Sequence, residues 1–326
     1  MPDVTIFAPS PLLTVTLEGD PSGTDLHLHA GGQGVWQSRM LRTLGCSVTI
    51  CAVLTGESGR VVQHLLEDEG VTVRAIAREG RGAAYVHDRR SGERTAVAEL
   101  TGDPLSRHEL DELYALTVRE ALAADLVLLS GPLGDEELPD DVYRRLAADL
   151  GAAGRPVMVD LSGGRLAAAI EGGVRLAKVS DEELMRSGQA ADASVPALIA
   201  AAGALREAGA QSVVVTRAGH ASLLVDGETA VAVRVPVMEE VDTRGAGDSL
   251  TAAIAASLAA GDDLRDAVRL GAAAGALNVT RHGLGTGDAE AIRRLSEQVE
   301  ITTIGADDAS IVSLDELATK LEVDDA

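Results

Sequence analysis

Seven consecutive residues, Asp242-Thr243-Arg244-Gly245-Ala246-Gly247-Asp248, put a carboxylate beside a Gly-x-Gly turn. They follow an extended-looking run over 231–237. They lead into an alanine-rich segment with Leu250, Ile254 and Leu258 at i, i+4 and i+8, a helical spacing. A glycine turn at a helix N-terminus leaves backbone N–H groups without intrahelical partners, and the positive end of the helix dipole reinforces them. Together they form a site for an anion such as phosphate. With the Asp248 carboxylate in the same turn as a base, the chemistry is phosphoryl transfer to a hydroxyl. The alternative for these residues is a tight turn in which Asp248 is an ordinary helix cap.

A second glycine-rich loop, Gly31-Gly32-Gln33-Gly34, feeds a helix carrying Trp36, Met40 and Leu44 on one side. Such a loop lets backbone approach a ligand closely. It is not a dinucleotide fingerprint, because Gln37 stands where the third glycine belongs, and a Walker-type loop is ruled out because Gly-Lys never occurs. His27 and His29 share one strand face. With no third histidine or carboxylate identified beside them, they read as exposed strand residues rather than metal ligands.

These loops need a framework, and the apolar pattern supplies one. Runs such as Leu126-Val127-Leu128-Leu129, Val157-Met158-Val159 and Val213-Val214-Val215 lack alternation, as strands buried on both faces do. Helical segments stand between them, so the fold class is α/β: a doubly wound, mostly parallel sheet with helices on both faces. Alternating strands near 10–30 and a hairpin within 80–100, turning at Asp88-Arg89-Arg90-Ser91-Gly92, interrupt that rhythm and read as a small β lid. One domain over 1–304 is expected, followed by an acidic tail over 305–326.

Composition narrows the partners. Of 326 residues 46% are hydrophobic but only 2% aromatic, so the core is aliphatic, with 35 glycines permitting close backbone approach. A net charge of −23 argues against nucleic acid and anionic membranes as partners. Lysine occurs only at Lys178 and Lys320. Cys46 and Cys51 fit no zinc or redox motif and read as reduced, buried thiols. The N-terminus lacks the basic region of a signal peptide, and no apolar segment is long enough to span a bilayer, so a soluble cytoplasmic protein is expected.

In order along the chain, these motifs resemble those of the ribokinase-like (PfkB) carbohydrate kinases, most closely the 1-phosphofructokinase and tagatose-6-phosphate kinase branch. The resemblance runs from Val4 to about Ile301. It rests on the 242–248 stretch, similar to the family's D-T-x-G-A-G-D, and on Gly31-Gly32-Gln33-Gly34 and Ser130-Gly131-Pro132-Leu133. Asp160-Leu161-Ser162-Gly163, Lys178-Val179-Ser180-Asp181-Glu182-Glu183-Leu184 and Gly283-Leu284-Gly285-Thr286-Gly287 complete it. It implies a kinase that moves the γ-phosphoryl of ATP to a sugar hydroxyl with Mg²⁺. Asp248 would be the base, and the N–H groups of Gly245, Ala246 and Gly247 the hole for the transferring group. By the same resemblance Glu183 organises Mg²⁺ through water, and Lys178, Thr216, Arg217, Gly219 and Asn278 lie on the nucleotide side. A homodimer through the lid is also implied.

The departures from the family pattern gather on the sugar side. The family's sugar-binding Asp is Thr14 here, and the Lys and Asn of G-G-K-G-x-N are Gln33 and Trp36, while Gly32 is retained. Arg81 stands near the family's phosphate-reading lid arginine, followed by Ala83 where that pattern has Asn. On the nucleotide side Ser180 replaces the Asn of N-x-x-E, and Ala218 a loop glycine. Buried polar contacts carry most of the discrimination between sugars, so the expected acceptor is a sugar or sugar phosphate of unassigned identity. The reading from a different class is a non-catalytic sugar- or nucleotide-binding regulatory protein on the same fold.

Overall fold

A computed structural model describes residues 1–20, 23–92, 94–132, 138–236, 238, 243–280 and 285–305. The chain opens with β1 (Asp3–Phe7), β2 (Leu12–Asp20), β3 (Gly23–Gly31), α1 (Gln33–Thr43), β4 (Ser47–Thr55) and α2 (Gly56–Asp68). Then come β5 (Thr72–Arg78), β6 (Ala84–Asp88), β7 (Thr95–Leu100), α3 (Arg107–Ala121), β8 (Leu126–Ser130) and α4 (Asp141–Ala152). The middle holds β9 (Val157–Asp160), α5 (Gly163–Glu171), β10 (Val174–Ser180), α6 (Asp181–Arg186), α7 (Val195–Glu207) and β11 (Ala210–Thr216). It closes with β12 (Ser222–Asp226), β13 (Thr229–Arg234), α8 (Ala246–Ala260), α9 (Leu264–Val279), α10 (Ala289–Ser296) and β14 (Glu300–Thr303).

Ten strands form the main sheet in the order β14-β13-β12-β11-β10-β9-β8-β1-β4-β5. The run from β11 to β5 is parallel, and β12, β13 and β14 add antiparallel strands at one edge. Side-chain alternation sends Val4, Ile6, Leu126 and Leu128 into a core under α1, α8 and α9, and Phe7, Val127 and Leu129 into a second core under α4, α5 and α7. Each fully buried Leu or Ile of this kind stabilises the fold by about 1.5–3 kcal/mol. The expected helix–sheet–helix architecture is present.

The second sheet has the order β3-β2-β6-β7. It joins two hairpins, β2–β3 and β6–β7, by a parallel pairing of β2 with β6. The sequence placed an extended run over 231–237, but β13 stops at Arg234, just before Val235-Pro236. Proline has no N–H to continue a ladder. Cys46 and Cys51 are free and buried, and burial pushes their thiols up to about 11 and about 12. Among the described residues no helix is long and apolar enough to cross a membrane. The acidic tail lies outside the described residues from 306 onward.

Candidate active site

The parallel register brings the site's charges together. Ser130, Asp160 and Lys178 are cross-strand partners at the C-terminal ends of β8, β9 and β10, the end of an open parallel sheet where ligands bind. They follow Leu128, Met158 and Leu176 by two residues, so they share the face packed under α1 and α8. Lys178 Nζ donates to Asp160 Oδ1 at 3.1 Å, and both side chains are nearly inaccessible. Asp160 Oδ2 accepts from Thr251 Oγ1 at 2.8 Å and from Gln37 Nε2 at 3.2 Å. The Gln37 carbonyl oxygen in turn accepts from Ser130 Oγ. Every buried polar group in this cluster has a partner, as burial requires.

Above the cluster sits the N-terminus of α8. Its cap, Gly245, has φ 74°, in the left-handed region that strains a residue bearing a Cβ. Among the described residues no side chain caps this helix, so its first N–H groups lack the side-chain acceptor that a capped helix has. A Cβ at Gly247 would lie 2.8 Å from Lys178 Nζ, which puts the ammonium directly against the turn. Burial lowers the Lys178 pKa, but the carboxylates of Asp160, Glu183 and Asp248 outweigh it and the net shift is upward, so the group stays charged.

Asp248 lies in the first turn of α8 and is half-buried. Burial, helped by the negative charge of Asp160, pushes its carboxyl up to about 7. Lys178 and a hydrogen bond from Gln33 pull in the other direction. A carboxylate with a raised pKa in a cleft is a fitting general base near neutral pH. Gln33 is held at its other end too, since its Oε1 accepts from the Gly131 N–H at 2.8 Å.

Beside this group opens a cavity of about 300 Å³, bordered by Ser10, Gln33, Trp36, Asp160, Arg165 and Glu183 among others. Gly32, the cap of α1 with φ 105°, also borders it. Glu183 is the third residue of α6 and closes a capping box with Ser180, its Oε2 accepting from Ser180 N and Oγ, both at 2.8 Å. Serine in place of asparagine thus ties the Glu183 carboxylate to its own helix start. No cluster of three or more His, Cys, Asp or Glu side chains suited to a metal occurs among the described residues. The negative charge of Glu183 nevertheless adds to the upward shift of Asp248, and a hard carboxylate bordering the cavity, as Glu183 does, suits a Mg²⁺ ion that keeps most of its waters.

The other sequence-derived residues fall in three places. Asn278 is buried in α9, where its Nδ2 donates to Arg244 O at 2.7 Å and its Oδ1 accepts from Ser249 Oγ and Gly285 N. Its amide is therefore spent on bracing the glycine turn. Thr216 ends β11, Arg217 reaches Ala193 O at 3.3 Å, and Gly219 is exposed with φ 68° in the loop that follows. Thr14 lies on lid strand β2 between His29 and Tyr85. Arg81 is exposed, pairs with Asp103 at 3.3 Å, and is not among the residues bordering the cavity. His27 does have carboxylates nearby, Asp25 at 3.2 Å and Glu18 at 3.8 Å, contrary to the sequence reading. Asp242, Leu133, Gly283 and Leu284 of the motifs lie outside the described residues.

Sequence reasoning quoted Asp160 only as part of a motif and gave Gln37, Thr251 and Arg165 no role in a site. A lone acidic residue ending an apolar strand was the available signal for Asp160. Nothing local marks Gln37 or Thr251, whose partners are more than ninety residues away.

The glycine turn at the N-terminus of α8 thus stands over the strand ends of a doubly wound sheet, where such sheets bind ligands. Residues 11–292 match the model of the pfkB family carbohydrate kinases, and the chain belongs to that family. It is 31% identical over 281 residues to ATP-dependent 6-phosphofructokinase isozyme 2 of Mycobacterium tuberculosis, covering 85% of this chain and 82% of that one. To 1-phosphofructokinase of Bacillus subtilis it is 27% identical over 278 residues, 85% of this chain and 89% of the relative. Phosphofructokinase-2 from Escherichia coli in complex with fructose-6-phosphate has the same fold, with a TM-score of 0.77 and 25% identity over 91% of this chain and 99% of that one. The protein is an enzyme that uses ATP to phosphorylate a sugar.

Proposed function

We propose that this kinase phosphorylates a hydroxyl of a sugar phosphate, with Asp248 as base and the Gly245-Ala246-Gly247 turn as the hole for the transferring group. The acceptor hydroxyl loses its proton to the Asp248 carboxylate as its oxygen bonds to the γ-phosphorus; the bond from that phosphorus to the bridging oxygen breaks, and ADP leaves. The observation that carries this reading is Asp248 in the uncapped first turn of α8, with Lys178 Nζ against Gly247. General-base help of this kind is worth about 10²–10⁴ in rate, and oriented donors with a fixed cation add several kcal/mol.

Lys178 holds the phosphoryl end of ATP, while Thr216, Arg217 and Gly219 border the rest of the nucleotide and Asn278 keeps the turn in shape. Glu183 would hold Mg²⁺ through water, and the ion would neutralise charge on the β- and γ-phosphates. Gly32, Gln33, Trp36 and Thr14 face the acceptor, and Arg81 on the lid reads its phosphate. The relatives' names, phosphofructokinases of two positional types, support a phosphorylated acceptor. The exposed lid residues Leu26, Leu28, Val97 and Leu100 support pairing of two copies through that sheet.

The test is ADP release with Mg-ATP across a panel of sugars, sugar phosphates and nucleosides, repeated with Asp248→Asn. Turnover restricted to phosphorylated acceptors, and lost by at least about 10³-fold in the variant while ATP still binds, is the expected outcome. An active Asp248→Asn enzyme would remove Asp248 from the role of base.

A further inference from the structure

We propose that Asp160 is a positioning residue that fixes the Lys178 ammonium against the glycine turn, so that the anion hole contains a cation before any phosphate enters. The catalytic part of this inference rests on the anion-hole reading above; the link between the two side chains does not.

Lysine is a poor fixed charge by itself. Its four-carbon stem is flexible, and burial without a partner drives the ammonium to lose its proton. Lys178 is buried, and Asp160, Glu183 and Asp248 are the charged groups acting on it. Of these only Asp160 makes a direct bond to it, at 3.1 Å, from the neighbouring strand and in register. Asp160 cannot swing away, because its second oxygen is held by Gln37 from α1 and by Thr251 from α8. Thr251 stands on the helix whose first turn forms the hole, at the sixth position from its start at Ala246. One carboxylate therefore fixes both the cation and the helix that presents the N–H groups.

A merely structural reading is a buried ion pair supporting three elements. Such pairs are weak sources of stability and are often replaceable by apolar residues. This one stands at the strand ends beside the cavity, with the ammonium at Gly247, where the charge has a use.

The chain contains two lysines, Lys178 and Lys320. Protein grown on lysine carrying ¹³C at Cε gives two side-chain signals, which Lys320→Arg assigns. In the unmodified chain the Lys178 signal should remain that of the ammonium through the ordinary lysine range and should shift when Mg-ATP is added. In Asp160→Asn its apparent pKa should fall by about two units or more, a hundredfold loss of proton affinity, and the Mg-ATP response should vanish. With the acceptor that the panel identifies, Asp160→Asn and Lys178→Met should each lower kcat about 100-fold with KM within about threefold. The double variant should be no slower than Lys178→Met alone, since residues acting as a unit are not additive. An unchanged Lys178 titration in folded Asp160→Asn overturns the proposal, and so do losses that multiply in the double variant. Thr251→Val keeps the charge and removes one donor; if Asp160→Asn does not fold, an unshifted Lys178 signal in Thr251→Val overturns it instead. Absence of turnover with every acceptor counts against the Asp248 reading alone, because the lysine signals still decide the link.

Discussion

The floor of the site consists of the ends of parallel strands locked into a ten-stranded sheet, whereas the lid is a four-stranded sheet that pairs with none of them. On the floor Ser130, Asp160, Lys178, Gln37 and Thr251 are buried and bonded to one another. Arg81, in the segment leading into lid strand β6, is exposed, and on the lid Leu26 and Val97 show more than half their surface. Groups that must stabilise charge in the transition state gain from being fixed and dry. Groups that select among acceptors gain from a surface that moves and varies cheaply. On the function proposed above, the floor sets the reaction and the lid sets the acceptor.

Substitutions on the floor should therefore strike kcat hard. Gly245→Val places a Cβ in the left-handed region and distorts the turn, and kcat should fall about 10²–10³-fold with acceptor KM nearly unchanged. Gly247→Ala drives a methyl group into Lys178 Nζ and should cost kcat about 10–100-fold, read in the same assay. Asn278→Ala strands Arg244 O, Ser249 Oγ and Gly285 N, and should lower stability by about 1–3 kcal/mol in denaturant unfolding and kcat about tenfold. The acid limb of kcat/KM in the ligand-free enzyme should fall below pH about 7 as Asp248 protonates. Gln33→Leu removes a donor to the charged form and should move that limb to higher pH. The smallest effects belong to the acceptor side, on the lid and at Trp36 of α1. Thr14→Asp and Trp36→Asn should change KM for individual acceptors about tenfold with kcat within about threefold. Arg81→Met should act on phosphorylated acceptors alone, and its exposed pair with Asp103 adds less than about 1 kcal/mol to stability. Lid variants that cut kcat as deeply as Gly245→Val would abolish the distinction.

Linkage gives the floor a further signature. The Asp248 carboxyl has a folded-state pKa above its ordinary value, so folding favours its protonated form and its charge costs stability as pH rises through 7. Asp248→Asn should therefore stabilise the protein by about 1–2 kcal/mol at pH 8 while removing activity. Equal stability of the two proteins at that pH would show that the charge is not strained.

The parallel sheet was legible because strands such as Leu126–Ser130 are buried on both faces and read as unbroken apolar runs. The glycine turn was legible because few residues tolerate the conformation Gly245 adopts. The bonds that arm it were not. Asp160 meets Gln37 across 123 positions and Thr251 across 91, and their register follows from the sheet order rather than from any local signal. The parallel β2–β6 pairing of the lid is non-local in the same way. Asn278 was placed on the nucleotide side by resemblance alone, and its buried bond to Arg244 O, 34 positions away, is likewise non-local.

The junction between lid and body carries a mechanical consequence. The last lid strand ends at Gly31, Gly32 follows, and Gln33 already grips Gly131 and Asp248. A single residue thus separates the small sheet from the side chain that bonds Asp248. On the proposed function, a tilt of the lid would act as a lever with a very short arm on Gln33 and, through it, on the Asp248 carboxylate.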